Sequence, residues 1–132
     1  MEGGTRCWIA RLTSKGALSN RKDHEMPLTE CIRIRMKDGM TDKFVAWANQ
    51  VPKRMDEVKI SMAEQGVLEE HIFLERSPDG DFIVLYWKVE DPAKASATFQ
   101  RSKRKIDLEM IEMIETTWDR SQVSRLEPIM EL

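Results

Sequence analysis

Cysteine and histidine are scarce in this chain of 132 residues, and each scarcity excludes a class of site. Cys7 and Cys31 lie far apart and form no Cys-x-x-Cys pair, so the sequence indicates neither a disulfide framework nor a thiolate metal site. Only His24 and His71 could supply an imidazole. Gly-rich phosphate loops, nucleophile elbows and zinc-protease motifs are also missing from the sequence. We therefore expect no metal and no cofactor.

Long apolar runs and an excess of one charge are missing as well. No window approaches the ~18 apolar residues of a membrane helix, and the first 28 residues lack the apolar segment of a secretory signal. The 21 basic and 23 acidic residues give a formal net charge of -2, so the chain has no overall attraction to nucleic acid or to an anionic membrane. We expect a cytoplasmic protein without a membrane partner.

The chain divides into an arm and one domain. Residues 1–28 contain scattered apolar residues without a period of 2 or 3.6, which predicts a flexible N-terminal arm. An alternative is that "CWIARL" forms a short strand at a sheet edge. Residues 29–132 are long enough to bury a core and are predicted to form one domain.

The domain begins with a strand and a broken helix. "TECIRIRM" alternates, with Ile32, Ile34 and Met36 on one face and Arg33 and Arg35 on the other, which indicates a half-buried strand. A helix with an apolar stripe follows, with Thr41 or Asp42 as its cap. Pro52 predicts a break near residues 50–52, and Gly66 is suited to the C-terminal cap.

A hairpin comes next. The second strand, Val67–Glu75, alternates between an apolar face and a polar face, and Glu70 is the exception on the apolar face. "SPDG" then predicts a turn into an antiparallel third strand, Phe82–Lys88, which is apolar on both faces.

The last third of the domain is predicted to contain two helices and an edge strand. Asp91 and Pro92 open a helix to about Ser102. "KIDLEMIEMIETTW" forms another helix, with Asp107 as its cap. "VSRLEPIMEL" alternates but contains Pro128, which restricts this strand to a sheet edge. The fold class is therefore α+β, with the order β, α, β, β, α, an extra helix, β.

This order resembles the ferredoxin-like βαββαβ fold. Residues 29–132 resemble an uncharacterised bacterial family, catalogued only as a domain of unknown function, within the dimeric α/β-barrel superfamily. The resemblance rests on "ECIRIRMKDG", "VLEEHIFLER", "VEDPAKA" and "SKRKIDLEMIEMIETTWD". It implies a four-stranded antiparallel sheet whose open face packs against the same face of a second subunit, forming a barrel. A His-Pro pair and a further histidine that are common in that family are replaced here by Arg104, Lys105 and Met110, so the resemblance does not carry over any histidine-based chemistry at these positions.

The strand faces that would meet across this barrel carry the candidate ligand-binding residues. These are Arg33, Arg35, Glu69, His71, Phe73 and Tyr86. His71 is the best candidate for a catalytic base, although a lone strand histidine is more often structural. Arg33 and Arg35 could bind a carboxylate ligand or form an internal ion-pair network with Glu127 and with Glu69 or Glu75.

The sequence thus predicts a homodimeric module that binds a small organic ligand. Superfamily relatives catalyse cofactor-independent monooxygenation, haem degradation or isomerisation, so a monooxygenase-like or isomerase-like enzyme is one alternative. Others are a purely structural dimer and a weak anion or nucleic-acid binder that uses the basic run Arg101–Lys105. Trp47 and Trp118 are predicted to lie in the core.

Overall fold

A computed structural model describes residues 27–132 and shows one antiparallel sheet with helices packed on one of its faces. The predicted N-terminal arm up to residue 26, including "CWIARL" and His24, lies outside the described residues. Within the described part, four strands pair antiparallel in the order β2-β3-β1-β4, which confirms the predicted α+β, ferredoxin-like arrangement. The elements are β1 Leu28–Met36, α1 Thr41–Ala48, a 3-10 turn Val51–Arg54, α2 Met55–Gln65, β2 Val67–Ser77, β3 Gly80–Val89, α3 Pro92–Arg101, α4 Lys105–Thr117 and β4 Trp118–Leu126.

The central strands place one apolar face against the helices. In β1, Ile32, Ile34 and Met36 are almost fully buried, as their alternation predicts. No helix of residues 27–132 lies on the opposite side of the sheet, which we call the open face. Its residues are Thr29, Cys31, Arg33 and Arg35 of β1, Glu69, His71, Phe73 and Glu75 of β2, Phe82, Val84, Tyr86 and Lys88 of β3, and Ser124 and Leu126 of β4.

The predicted break in the first helix is confirmed. The α-helical geometry ends at Ala48, and Pro52 lies in the following 3-10 turn, since proline cannot donate the next helical hydrogen bond. Gly66 ends α2 with a φ angle of 75°, which is a left-handed conformation that glycine adopts without steric cost. Asp91 caps α3 by accepting hydrogen bonds from the backbone amides of Ala93 and Lys94.

Two predicted caps are wrong, because distant partners take the side chains. The helix α4 begins at Lys105, so Asp107 lies inside its first turn, and its carboxylate accepts hydrogen bonds from Ser61 at 2.7 Å and Ser102 at 2.6 Å. Helix α1 begins at Thr41 without a side-chain cap, and the Thr41 hydroxyl donates to Asp81 at 2.7 Å.

The last strand begins earlier than predicted. It follows α4 directly at Trp118, which is fully buried opposite Met36, and ends at Leu126 before Pro128. Glu127 therefore lies beyond the strand and does not face the arginines of β1.

A buried ion pair lies between β1, β3 and β4 on the helix side of the sheet. The Glu30 carboxylate, 5% exposed, accepts a hydrogen bond from the Trp87 indole at 2.9 Å and another from Arg125 at 2.7 Å. Burial raises the pKa of Glu30, although the hydrogen bonds from Trp87 and Arg125 act in the opposite direction. Glu30 therefore depends on both donors to remain charged inside the protein.

Candidate functional site

A cavity of about 430 Å³ lies between the helix-facing side of the sheet and the helices. Five aromatic side chains line it: Phe44, Trp47, Trp87, Phe99 and Trp118. Small side chains at Ala48, Ser61, Ala95 and Ser96 also line the wall and leave the space unfilled. Asn49 and Pro52 belong to the wall and are exposed, so the cavity reaches the surface at the connection between α1 and α2.

Glu70 of β2 contributes a carboxyl group to this cavity. Its strand position pairs with Trp87, so its side chain lies on the helix side of the sheet. The side chain is open to solvent through the cavity, although many protein atoms surround its carboxyl group. This desolvation, with a smaller effect of the nearby Asp107 charge, raises the pKa of Glu70 to about 7.

The two carboxyl groups of the cavity differ in their partners. Asp107 accepts hydrogen bonds from Ser61 and Ser102, and the Gln65 amide donates to the Ser61 oxygen at 2.7 Å. Within residues 27–132, no side chain donates a hydrogen bond to the Glu70 carboxyl or forms an ion pair with it. Glu70 is thus the carboxyl group with free acceptor capacity.

The cavity wall formed by the described residues contains no lysine, arginine or histidine. Its polar side chains are Asn49, Ser61, Gln65, Glu70, Ser96 and Asp107. The wall therefore carries negative charge without a basic side chain to neutralise it. Such a wall disfavours anionic molecules and favours cationic ones.

The six residues predicted to bind a ligand all lie on the open face, and none of them lines the cavity. His71 lies between two rings on that face, with its centroid 6.2 Å from Phe73 and 5.9 Å from Tyr86. The structure thus groups the predicted residues on one surface. It also shows a second candidate site, which sequence reasoning missed, on the other side of the sheet.

The two arginines of the open face already have partners within the chain. Arg33 forms an ion pair with Glu75 at 2.9 Å, and its guanidinium lies 3.6 Å from the centroid of the Phe82 ring. Arg35 donates to the Asp79 carbonyl at 2.6 Å and lies 3.5 Å from the Asp38 carboxylate. Of the ion pairs that the sequence left open as an alternative to ligand binding, the structure shows Arg33–Glu75, whereas Arg35 pairs with Asp38 and not with Glu127.

The basic run Arg101–Lys105 lies at the junction of α3 and α4. Arg104 in this run forms an ion pair with Glu64 of α2 and also donates to it through Nε at 2.8 Å. Part of the positive charge is therefore neutralised within the chain, which weakens the argument for an anion-binding surface there.

The comparison with protein families agrees with the extent of this fold. The chain belongs to a family of unknown function, DUF6176. The family model matches residues 28–132, from the first residue of β1 to the C-terminus. No curated protein and no solved structure gives a significant match.

No helix between residues 27 and 132 is long and apolar enough to cross a membrane. The same residues contain no cluster of histidine, cysteine, aspartate and glutamate side chains that could hold a metal ion.

Proposed function

We propose that this family member is a homodimeric module of the dimeric α/β-barrel type that binds a small organic ligand in the cavity between sheet and helices. The observation that carries the proposal is a mostly apolar space of about 430 Å³ with one unpartnered carboxyl group in its wall. Ligand sites typically enclose ~300 to 1,000 Å³ and combine apolar walls with a few polar groups. The cavity also opens to the surface at Asn49 and Pro52, so a ligand could enter it from solvent.

The open face supports assembly with a second copy. Phe73 and Leu126 are 58% and 42% exposed on it, and Arg33 is already paired with Glu75, so the face can be covered without burying that arginine unpaired. Four strands about 4.8 Å apart and about 30 Å long present roughly 500 to 600 Å². The exposed Ile129 and Met130 after β4 add apolar surface toward the ~800 Å² that each partner buries in a stable interface.

The space between two paired open faces is a second candidate ligand site. His71 beside Phe73 and Tyr86 favours it, because these rings form an aromatic wall next to an imidazole that can make hydrogen bonds to a ligand. A ligand at this site would contact the residues predicted from the sequence, including Arg33 and Arg35.

Replacing Phe73 with aspartate should convert a dimer into a monomer, because a charge would replace a large exposed ring on the surface that the second copy covers. Light scattering coupled to size-exclusion chromatography measures the change. Ile60→Asp is the matched control, since Ile60 is also exposed, at 50%, but lies on α2 away from the open face. A monomeric wild-type protein, or a dimer unaffected by Phe73→Asp, would contradict the proposed interface.

Filling the cavity should abolish ligand binding. Ala48→Phe places a ring in the cavity, whereas Ala63→Phe adds the same ring on the exposed side of α2 and serves as the control. We expect titration calorimetry with small aromatic probes to show binding to the wild type and the control and none to Ala48→Phe, with circular dichroism confirming the fold of both variants. Unchanged binding to a folded Ala48→Phe variant would exclude the cavity as the site.

A further inference from the structure

We infer that the cavity is built for a small organic amine, whose ammonium group lies beside Glu70 and whose apolar or aromatic body fills the space between the helices and the sheet. This inference rests on the proposed ligand-binding function and assigns the chemical class of the ligand. It is argued from the charge of the wall, the hydrogen-bond partners of its carboxyl groups and its aromatic side chains.

The charge of the cavity wall determines which ligand charge binds favourably. Glu70 and Asp107 are the ionisable groups among the described residues that line the cavity, and both are acids. An anion would enter a poorly solvated space beside like charges, which is strongly unfavourable. A neutral ligand would leave an ionised Glu70 without a partner, whereas an ammonium group would pair with it.

Hydrogen-bond capacity identifies Glu70 as the carboxyl that contacts the ammonium. Asp107 already accepts hydroxyl protons from Ser61 on one oxygen and Ser102 on the other. Glu70 has no such donor within residues 27–132. An ammonium carries three donors and no acceptor, so it complements an unoccupied carboxylate directly.

The aromatic side chains of the cavity wall suit both the apolar body of the ligand and its positive charge. Trp47, Trp87 and Phe99 line the same cavity, and the face of an aromatic ring attracts a nearby cation. The indole N–H groups of Trp47 and Trp87 are already bonded to Glu109 and Glu30, each at 2.9 Å. Both rings are therefore held in place by hydrogen bonds made away from the ligand.

Proton release on binding would distinguish an ammonium from other ligands. At about pH 7 a substantial fraction of Glu70 carries a proton in the empty cavity, because its pKa is about 7. A cation beside Glu70 lowers that pKa and expels the proton, while a neutral ligand does not. Calorimetry in two buffers with different ionisation enthalpies measures the released fraction.

The test compares ligands of nearly equal shape and different charge. Tryptamine, 3-propylindole and indole-3-propionate form one series, and 2-phenylethylamine, propylbenzene and 3-phenylpropionate form a smaller one. In both series we expect the amine to bind at least about tenfold more tightly than its neutral counterpart, and the acid to bind more weakly than the neutral compound. Only the amine should release a proton from the protein.

Glu70→Gln keeps the shape of the side chain and removes its charge. This variant should bind the neutral compound as well as the wild type does and lose most of the preference for the amine, together with the proton release. Glu112→Gln, the same change at an exposed position of α4, should alter neither.

The outcomes separate this inference from the proposed function. If the neutral compound binds as tightly as the amine, or if Glu70→Gln retains the preference for the amine, the amine assignment is overturned while ligand binding in the cavity stands. If no member of either series binds, the proposed function fails, and the amine assignment fails with it.

Discussion

Replacing Arg125 with methionine should lower the free energy of unfolding at neutral pH by about 2 to 3 kcal/mol. The substitution removes the cation from the buried Glu30 carboxylate and leaves it with the Trp87 indole as its remaining side-chain donor. Breaking a fully buried pair typically costs ~3 to 5 kcal/mol, and we expect less here because the Arg125 side chain is 30% exposed and water can partly replace it.

The cost of Arg125→Met should depend on pH. Arg125 lowers the pKa of Glu30, so its removal raises a pKa that burial has already raised above the unfolded value. Below about pH 4, Glu30 is protonated in the folded and unfolded states alike, and the loss of Arg125 costs little. As the pH rises from the unfolded pKa of Glu30 to the raised folded pKa of the variant, the unfolded chain releases the proton that the folded variant still holds. The folded state is therefore progressively destabilised over this window.

Chemical denaturation at several pH values measures this loss. Arg76→Met is the control, because the Arg76 side chain is 59% exposed and lies 3.6 Å or more from its acidic partners, so the change should cost less than about 1 kcal/mol. Adding Glu30→Gln to Arg125→Met should restore much of the stability. A loss that is equal at all pH values would mean that Arg125 acts by packing alone.

Replacing Glu70 with glutamine should stabilise the protein at about pH 8 by about 1 to 2 kcal/mol. The wild-type side chain must lose its proton inside the cavity, where its pKa is about 7 instead of its ordinary value near 4.5. That pKa difference alone corresponds to ~3 kcal/mol of folding stability. We expect a smaller gain because the Glu70 side chain is exposed and solvent screens its charge.

The sign of this effect follows from proton binding. Between about pH 4.5 and 7, the folded protein holds the Glu70 proton and the unfolded chain releases it, so wild-type stability falls as the pH rises. Glu70→Gln removes this dependence of stability on pH. Near about pH 4.5 the variant should have the same free energy of unfolding as the wild type. Glu112→Gln should retain the dependence on pH. A Glu70→Gln protein that is less stable than the wild type at about pH 8 would show that the carboxyl is well satisfied in the empty cavity.

A glutamate that destabilises the empty protein is typical of a binding site. Natural proteins keep such unfavourable groups where function requires them, and their removal commonly increases stability. The Glu30 site is the opposite case, because its carboxylate has both a cationic and a neutral donor. The two acids lie on the same side of one sheet and have different expected roles because their partners differ.

Local signals in the sequence predicted most of the fold. The alternation of β1, the break at Pro52, the left-handed cap at Gly66 and the hairpin turn each depend on a few neighbouring residues, and each appears in the structure. Asp107 was misassigned because a capping pattern is local, whereas its partner Ser61 is 46 residues away. The start of β4 was misplaced because Trp118 fits a helical stripe as well as a buried strand position.

The cavity could not be predicted from the pattern, because it depends on how far the helices stand from the sheet. A signal was present in Glu70, the one charged residue on the apolar face of the second strand. An alternation pattern identifies such an exception but does not show whether it meets water, a partner or a void. The open-face residues were easier to group, since the strand register places them side by side.

The position of a bound amine tests the central claim most directly. Met62 and Met110 line the cavity, whereas Phe73 and Tyr86 lie on the open face, so nuclear Overhauser effects from tryptamine to labelled side chains distinguish the two surfaces. We predict cross-peaks from the indole protons to the methyl groups of Met62 and Met110 and none to the rings of Phe73 and Tyr86. Cross-peaks to Phe73 and Tyr86 without any to the two methionines would place the ligand on the open face and contradict the account.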